Sequence, residues 1–213
     1  MALFFPEGSS QQFSQTFAAA KVISAMTNAN PVVATSTAHG YTTGDPILLT
    51  SLWEDATDTV FEVEVIDANS FKILGLDASD TNFFPAGSNT GTAQKISGFT
   101  AIPQVLTISG SGGDPRFTDV QLLAKRNAIK APTGFNATTV TISMAHDASL
   151  PAYQTMLNIT RALRKVAFKQ VIAGGARTYG YGYLAVSEMP KLNSNQVNAV
   201  DAAMSLLGRA VSY

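Results

Sequence analysis

The 213-residue chain has no cysteine, which excludes disulfides, thiolate catalysis and Cys-based zinc sites together while leaving the redox compartment open. No stretch approaches the ~18 uninterrupted apolar residues of a membrane-spanning helix. The first residues, MALFFPEGSSQQ, have neither the basic n-region nor the apolar run of a secretory signal. Histidine is scarce, at two residues, and the net charge is only −1. The expectation is a soluble protein made inside a cell, with no membrane partner. Apolar residues make up 46 %, enough to bury a core in one large or two small domains.

The small net charge is a cancellation between segments. Residues 27–96 hold nine acids (Asp45, Glu54, Asp55, Asp58, Glu62, Glu64, Asp67, Asp77, Asp80) against Lys72 and Lys95, a balance of −7. The rest of the chain holds twelve bases and six acids, a balance of +6. Turn residues bound the acidic segment, Asn28-Ala29-Asn30-Pro31 before and Ser97-Gly98 after. The division expected is therefore an N-terminal arm and first core strand (1–26), an inserted small β-barrel domain (27–96) and the main core (97–213). Within the insert, VFEVEVI places Phe61, Val63 and Val65 on one face and Glu62 and Glu64 on the other, the alternation of a half-buried strand. PILLT and SFKIL read as further strands between closely spaced turns.

The remaining core reads as mainly strand with one helix. FTAIPQVLTI and TTVTISMAHD precede it, the second alternating Val140, Ile142 and Met144 with threonine and serine. Ser149 is a plausible N-cap with Pro151 in the first turn. Residues 109–132, with SGSGGDP and KAPTG, have weak periodicity and are expected to form a long excursion. The final segment is ambiguous, because Val197, Val200, Met204 and Leu207 also suit one helix face; Gly208 argues for a strand.

Candidate chemistry is thin. His146 precedes Asp147, but strand neighbours point to opposite faces, so a base oriented by a carboxylate is not expected. His39 precedes Gly40 in a turn. Glu54, Asp55 and Asp58, and Asp77 with Asp80, lack the spacing and central glycine of a calcium loop. SGSGGDP lacks the lysine and hydroxyl residue of a phosphate cradle. Arg161, Arg164 and Lys165 fall at i, i+3 and i+4 on an expected helix, a face for solvent or a subunit contact rather than nucleic acid, since stacking aromatics are missing. Tyr179, Tyr181 and Tyr183 alternate with Gly180 and Gly182; such rows pack against another layer more often than they stack on sugars. No catalytic residue, cofactor or metal ligand is assigned, and an enzyme is not expected.

One resemblance organises these observations. After Ser149-Leu150-Pro151 come the helical AYQTMLNITRALR, then KVAFKQVI, a Gly174-Gly175 turn, RTYGYGYLAVSE, the polar MPKLNSNQ and the closing VNAVDAAMSLLGRAVSY. This order resembles the C-terminal half of a bacteriophage tail tube protein, the major tail protein of long-tailed, siphovirus-like phages. The likeness covers residues 13–26 and 96–213. NANPVVATSTAHGYTTGDPILL and VIDANSFKILGLD resemble a small β-barrel module that recurs in phage tail proteins.

The resemblance implies a mainly β fold: a tail-tube-type β-sandwich or partial barrel, one flanking α-helix and the inserted all-β domain, which also requires the closing segment to be a strand. It implies a structural virion protein, assembled in the host cytoplasm, whose hexameric rings self-assemble into the hollow tube used in genome ejection. Partners are then further copies, the tip and terminator proteins, and double-stranded DNA passing without specific binding. With about four strands from each of six subunits, at ~4.8 Å spacing and ~40° tilt, the wall is about 48 Å across and the bore nearer 38 Å, wide enough for a duplex of roughly 20 Å. Phe4, Phe5, Ser111, Gly112, Gly113 and Arg116 are the expected inter-ring contacts, and Arg161, Arg164 and Lys165 the expected inter-subunit contacts. Lumens of the family are acidic, so many of the core's bases must face acids between subunits or rings. The alternative is a tail-tip or host-surface adhesin forming discrete oligomers.

Overall fold

The computed structural model describes residues 7–87, 89–192, 194 and 197–213. Among them the chain is mainly β, with several antiparallel sheets and one α-helix. It opens with β1 (Ser10–Ser14), then β2 (Thr16–Phe17), β3 (Lys21–Ile23), β4 (Ala25–Met26), β5 (Val32–Thr35), β6 (Pro46–Ser51), β7 (Thr59–Asp67), β8 (Ser70–Ile73) and β9 (Gly91–Ser97). The return leg holds β10 (Thr100–Ala101), β11 (Val105–Ser111), β12 (Pro115–Val120), β13 (Ile129–Phe135) and β14 (Thr139–Ala145). Helix α1 (Pro151–Arg161) precedes β15 (Lys165–Val171), β16 (Arg177–Val186), β17 (Ala199–Leu206) and β18 (Val211–Ser212). The first sheet runs β10-β1-β15-β16-β17-β14-β11 with β18 on β16; the second runs β2-β9-β6-β7-β8-β5-β4 with β3 on β9. Both ends of the chain thus build one sheet, and the middle builds the other.

The second sheet begins before residue 27. Residues 16–26, grouped with the core on sequence, pair instead through Phe17↔Ile96, Lys21↔Ala93 and Met26↔Ala34. The reason is burial: Ile23 and Met26 fill the same cluster as Trp53, Phe61 and Phe71, so the Asn28–Pro31 turn is a corner inside that sheet. Chain entry and exit lie side by side, with Thr16 opposite Ser97 and the Ser14 hydroxyl donating to the Ser97 carbonyl.

Helix α1 buries Tyr153, Met156, Leu157 and Ile159 against the first sheet, in a cluster with Phe13, Ile142, Met144, Phe168, Leu184 and Val186. Pro151 occupies its first turn, but Ser149 does not cap it: Leu150 is the N-cap residue, and the Ser149 hydroxyl donates to Asp147 instead. Thr160 closes an open stretch of β16, accepting from Val186 N–H at 3.0 Å where β15 no longer reaches. The closing segment is a strand, since Val200, Ala202, Met204 and Leu206 are buried at a period of two. Val200 and Met204 fit both periods; Ala202 and Leu206 fit only the strand.

Residues 109–132 are more regular than their composition indicated. β11 continues to Ser111 on β14, and β12 and β13 form a hairpin that among the described residues pairs only with itself. Nearly every residue of the hairpin is exposed, so no buried face imposes alternation on its sequence, and the backbone ladder alone sets its shape.

Candidate assembly surfaces

Three surfaces are built by this arrangement, the first being the junction of the two sheets. The odd positions of β16 turn Tyr179 and Tyr181 toward Leu48, Val60 and Ile96 of the second sheet, with Ala167 beside them. The even positions, Gly180 and Gly182, face the helix side, where a Cβ on Gly180 would lie 2.7 Å from Leu206 Cδ2 and one on Gly182 1.9 Å from the Ser205 carbonyl oxygen. The tyrosine row is therefore packing, apart from Tyr183, which stays exposed. Sequence alternation put Glu62 in solvent, yet it is 3 % exposed. Its Oε1 accepts from the Tyr179 hydroxyl at 2.9 Å and its Oε2 lies 3.2 Å from Arg177. The overlooked sign was Thr59-Val60-Phe61, a run without alternation that marks a strand covered on both faces.

Other cations of the first sheet and its flanks face the second sheet as well. Lys165 lies 3.7 Å from Asp58, and Arg209 donates to the Gly75 carbonyl at 2.8 Å. Tyr213 donates to Leu74 O and accepts from Glu62 N–H. Burial, followed by the Glu62 hydrogen bond and charge, pushes the Tyr179 phenol well up; Tyr213 is pushed up to about 12, chiefly by burial. Part of the charge segregation seen in the sequence is thus neutralised within one subunit.

The second surface is the β12–β13 arm. Gly112 and Gly113 form its neck, both with left-handed φ (85° and 79°), and a Cβ on Gly112 would meet the Ala137 carbonyl oxygen at 2.0 Å. Ser111 closes β11, while Arg116 begins the arm's exposed face. The arm carries Phe117, Leu122, Leu123 and Phe135 to solvent, interspersed with Arg116, Lys125, Arg126 and Lys130. Phe4 and Phe5 lie outside the described residues. The third surface is a concavity in the first sheet, about 690 Å³ in volume, between β1 and β15 on one side and β11 and β14 on the other.

Arg161, Arg164 and Lys165 do not share a helix face. The helix ends at Arg161; Leu163 turns the chain with φ 49°, and Lys165 starts β15. Arg161 pairs with Glu188 at 2.8 Å, Arg164 lines a small hollow with Gln15 and Asn158, and Lys165 lies over the Tyr181 and Tyr183 rings.

The two histidines occupy structural settings. His39 is buried, stacked on Tyr41, its Nδ1 accepting from Tyr41 N–H and its Nε2 donating to the Asp67 carbonyl. The His146 ring meets Tyr153 edge-on, whereas the Asp147 carboxylate accepts from the hydroxyl and N–H of Ser149, bonds that hold its pKa below the usual range. The two side chains thus have separate partners. No group of three or more potential metal ligands occurs among the described residues, and no helix there is long and apolar enough to cross a membrane.

A family profile described as "Phage tail tube protein, TTP" matches residues 51–213. The chain belongs to the phage tail tube protein family. The match runs through β7–β9 of the second sheet, the helix and every strand of the first sheet except β1. Comparison with curated proteins gives no match. Membership makes this tail tube protein a structural component of the virion tail that assembles with copies of itself and with other tail proteins.

Proposed function

We propose that this tail tube protein forms hexameric rings, that the rings stack into the hollow tube of a long, siphovirus-like tail, and that the genome passes through its lumen during ejection, the assembly being built in the host cytoplasm. Family membership over residues 51–213 is the observation that carries the reading. Two surfaces support it. β11 ends the sheet order with its outer edge unpaired among the described residues, the kind of edge onto which another chain adds. The arm exposes six large apolar side chains, Phe117, Val120, Leu122, Leu123, Ile129 and Phe135, which one subunit alone leaves in water.

In this scheme the arm, rooted at Ser111, Gly112 and Gly113 and carrying Arg116, makes the contact between rings, and Phe4 and Phe5 join it. Arg161, Arg164 and Lys165 lie toward neighbours within the ring. The second sheet stands on the outer wall, because six modules of ~25 Å inside a bore of about 38 Å would exclude a duplex. Electron microscopy of the concentrated protein, with a tip-complex initiator where needed, is expected to show six-fold rings or open-ended tubes. Closed discrete oligomers would favour an adhesin, and a monomer at every concentration, with the chain missing from the virion tail, would remove the reading.

A further inference from the structure

Gln11 is 2 % exposed on β1, and neither its amide nitrogen nor its amide oxygen has a hydrogen-bond partner among the described residues. A buried donor and acceptor left unmade together are uncommon and costly. Gln11 lines the 690 Å³ concavity, along with Gln170, Val105, Ile108, Val140 and Ile172, and none of the described residues lining it is charged. Its volume lies within the ~300–1,000 Å³ usual for ligand sites.

A carboxamide that donates and accepts at once suits a peptide backbone. Where a chain is extended, the N–H and C=O of one residue point to the same edge, so both ends of Gln11 can bond a single residue. The occupant must also be uncharged and partly apolar to match the walls. The tip of the arm has this character: Val120-Gln121-Leu122-Leu123-Ala124 is an uncharged run between Asp119 and Lys125, with Leu123 fully exposed and Leu122 nearly half so. The chain there is extended through the end of β12 at Val120, before a turn closed by the Lys125 N–H on the Leu122 carbonyl at 3.0 Å, so the single residue that Gln11 can bond lies at the end of β12.

We propose that the concavity of one subunit receives residues 120–124 of the arm of a second copy, with Gln11 bonding both backbone groups of one residue and Leu123 covering Val105, Ile108 and Val140. The inference rests on the self-assembly reading and assigns it a receiving site. The contact joins two different surfaces, so it propagates head to tail, closing a ring or extending a stack.

The lack of native cysteine permits a test with the full-length protein. Gly110→Cys, opposite Val140 on the same face of β11 as Ile108 and with nothing within 4 Å of an added Cβ, and Leu123→Cys at the tip are placed in separate preparations, mixed and oxidised. Disulfide-linked dimers are expected from the mixture well in excess of either preparation alone. In parallel, Gln11→Leu is expected to leave the subunit melting temperature unchanged or raised, because an unpaired polar group is removed, while self-association measured by sedimentation weakens at least tenfold. Leu122→Ser with Leu123→Ser, both at exposed positions, is expected to weaken it equally with the melting temperature unchanged. Normal association in the tip variant, or rings and tubes that form without the mixed disulfide, would overturn the arm-in-concavity contact and leave self-assembly standing. A wild-type chain that never associates would overturn both.

Discussion

The Tyr179 hydroxyl donates to Oε1 of Glu62 across 117 residues of sequence, at 2.9 Å, and this buried bond ties the two sheets together. Arg177, two residues before the tyrosine on β16, holds the other carboxylate oxygen. A buried carboxylate is tolerable here because both oxygens have partners. The acidic character of the second sheet therefore acts inside the subunit as well as on its surface.

Tyr179→Phe leaves Glu62 buried with one partner fewer. It is expected to lower stability by about 1.5–3 kcal/mol, the range for a hydrogen bond to a charged group. Urea titration followed by tyrosine and tryptophan fluorescence measures it. An unchanged midpoint would show that the bond does not stabilise the fold.

Gly182→Ala and Gly180→Ala separate two kinds of close approach. At Gly182 the added Cβ meets backbone, the Ser205 oxygen at 1.9 Å; at Gly180 it meets the tip of the Leu206 side chain at 2.7 Å. The first is expected to cost ~3 kcal/mol or more and the second about 1 kcal/mol, since a leucine can change rotamer and a paired strand cannot move away. Thermal melts of the two variants give the ratio directly.

The junction is expected to fail in alkali. The Tyr179 and Tyr213 phenols titrate higher in the folded chain than the ordinary value of 10.0, Tyr213 at about 12. For a raised pKa the stabilising contribution is full below the unfolded value and is lost as pH rises through the folded value. The melting temperature should hold to about pH 9 and fall between roughly pH 10 and 12, less steeply in Tyr213→Phe. A fall of equal slope in both proteins would show that Tyr213 is not part of this linkage.

Replacing residues 16–97 by a short linker cuts where entry and exit adjoin. It uncovers Tyr179 and Tyr181 and removes the partner of Arg177. At ~1.5–3 kcal/mol for each large side chain exposed, the remaining sheet and helix are expected to lose about 3–6 kcal/mol, read by urea denaturation. Wild-type stability in the shortened chain would mean that the second sheet contributes nothing to the first, and would favour independent units.

Removing residues 113–136 is expected to change subunit stability by less than ~0.5 kcal/mol, because nearly every residue of the arm's two strands is exposed. Tube length under the microscope should fall sharply. Normal tubes would take the arm out of the stacking contact.

Strands with one buried face were legible in the sequence, because burial writes a period of two into the side chains: Ile142 and Met144 on β14 are visible before any coordinates. The order helix, glycine hairpin and closing strand was legible too, and with it the family. Three matters were decided only by tertiary structure. Residues 16–26 join the second sheet because Ile23 and Met26 find their cluster there, and a strand of two or three residues is too short to announce its partner. Glu62 looks solvent-facing from its neighbours, yet Tyr179 and Arg177 arrive from a distant strand to satisfy it. Arg161, Arg164 and Lys165 look like one helix face until Leu163 turns the chain. Local sequence determines which side chains want burial; only the folded chain determines what meets them.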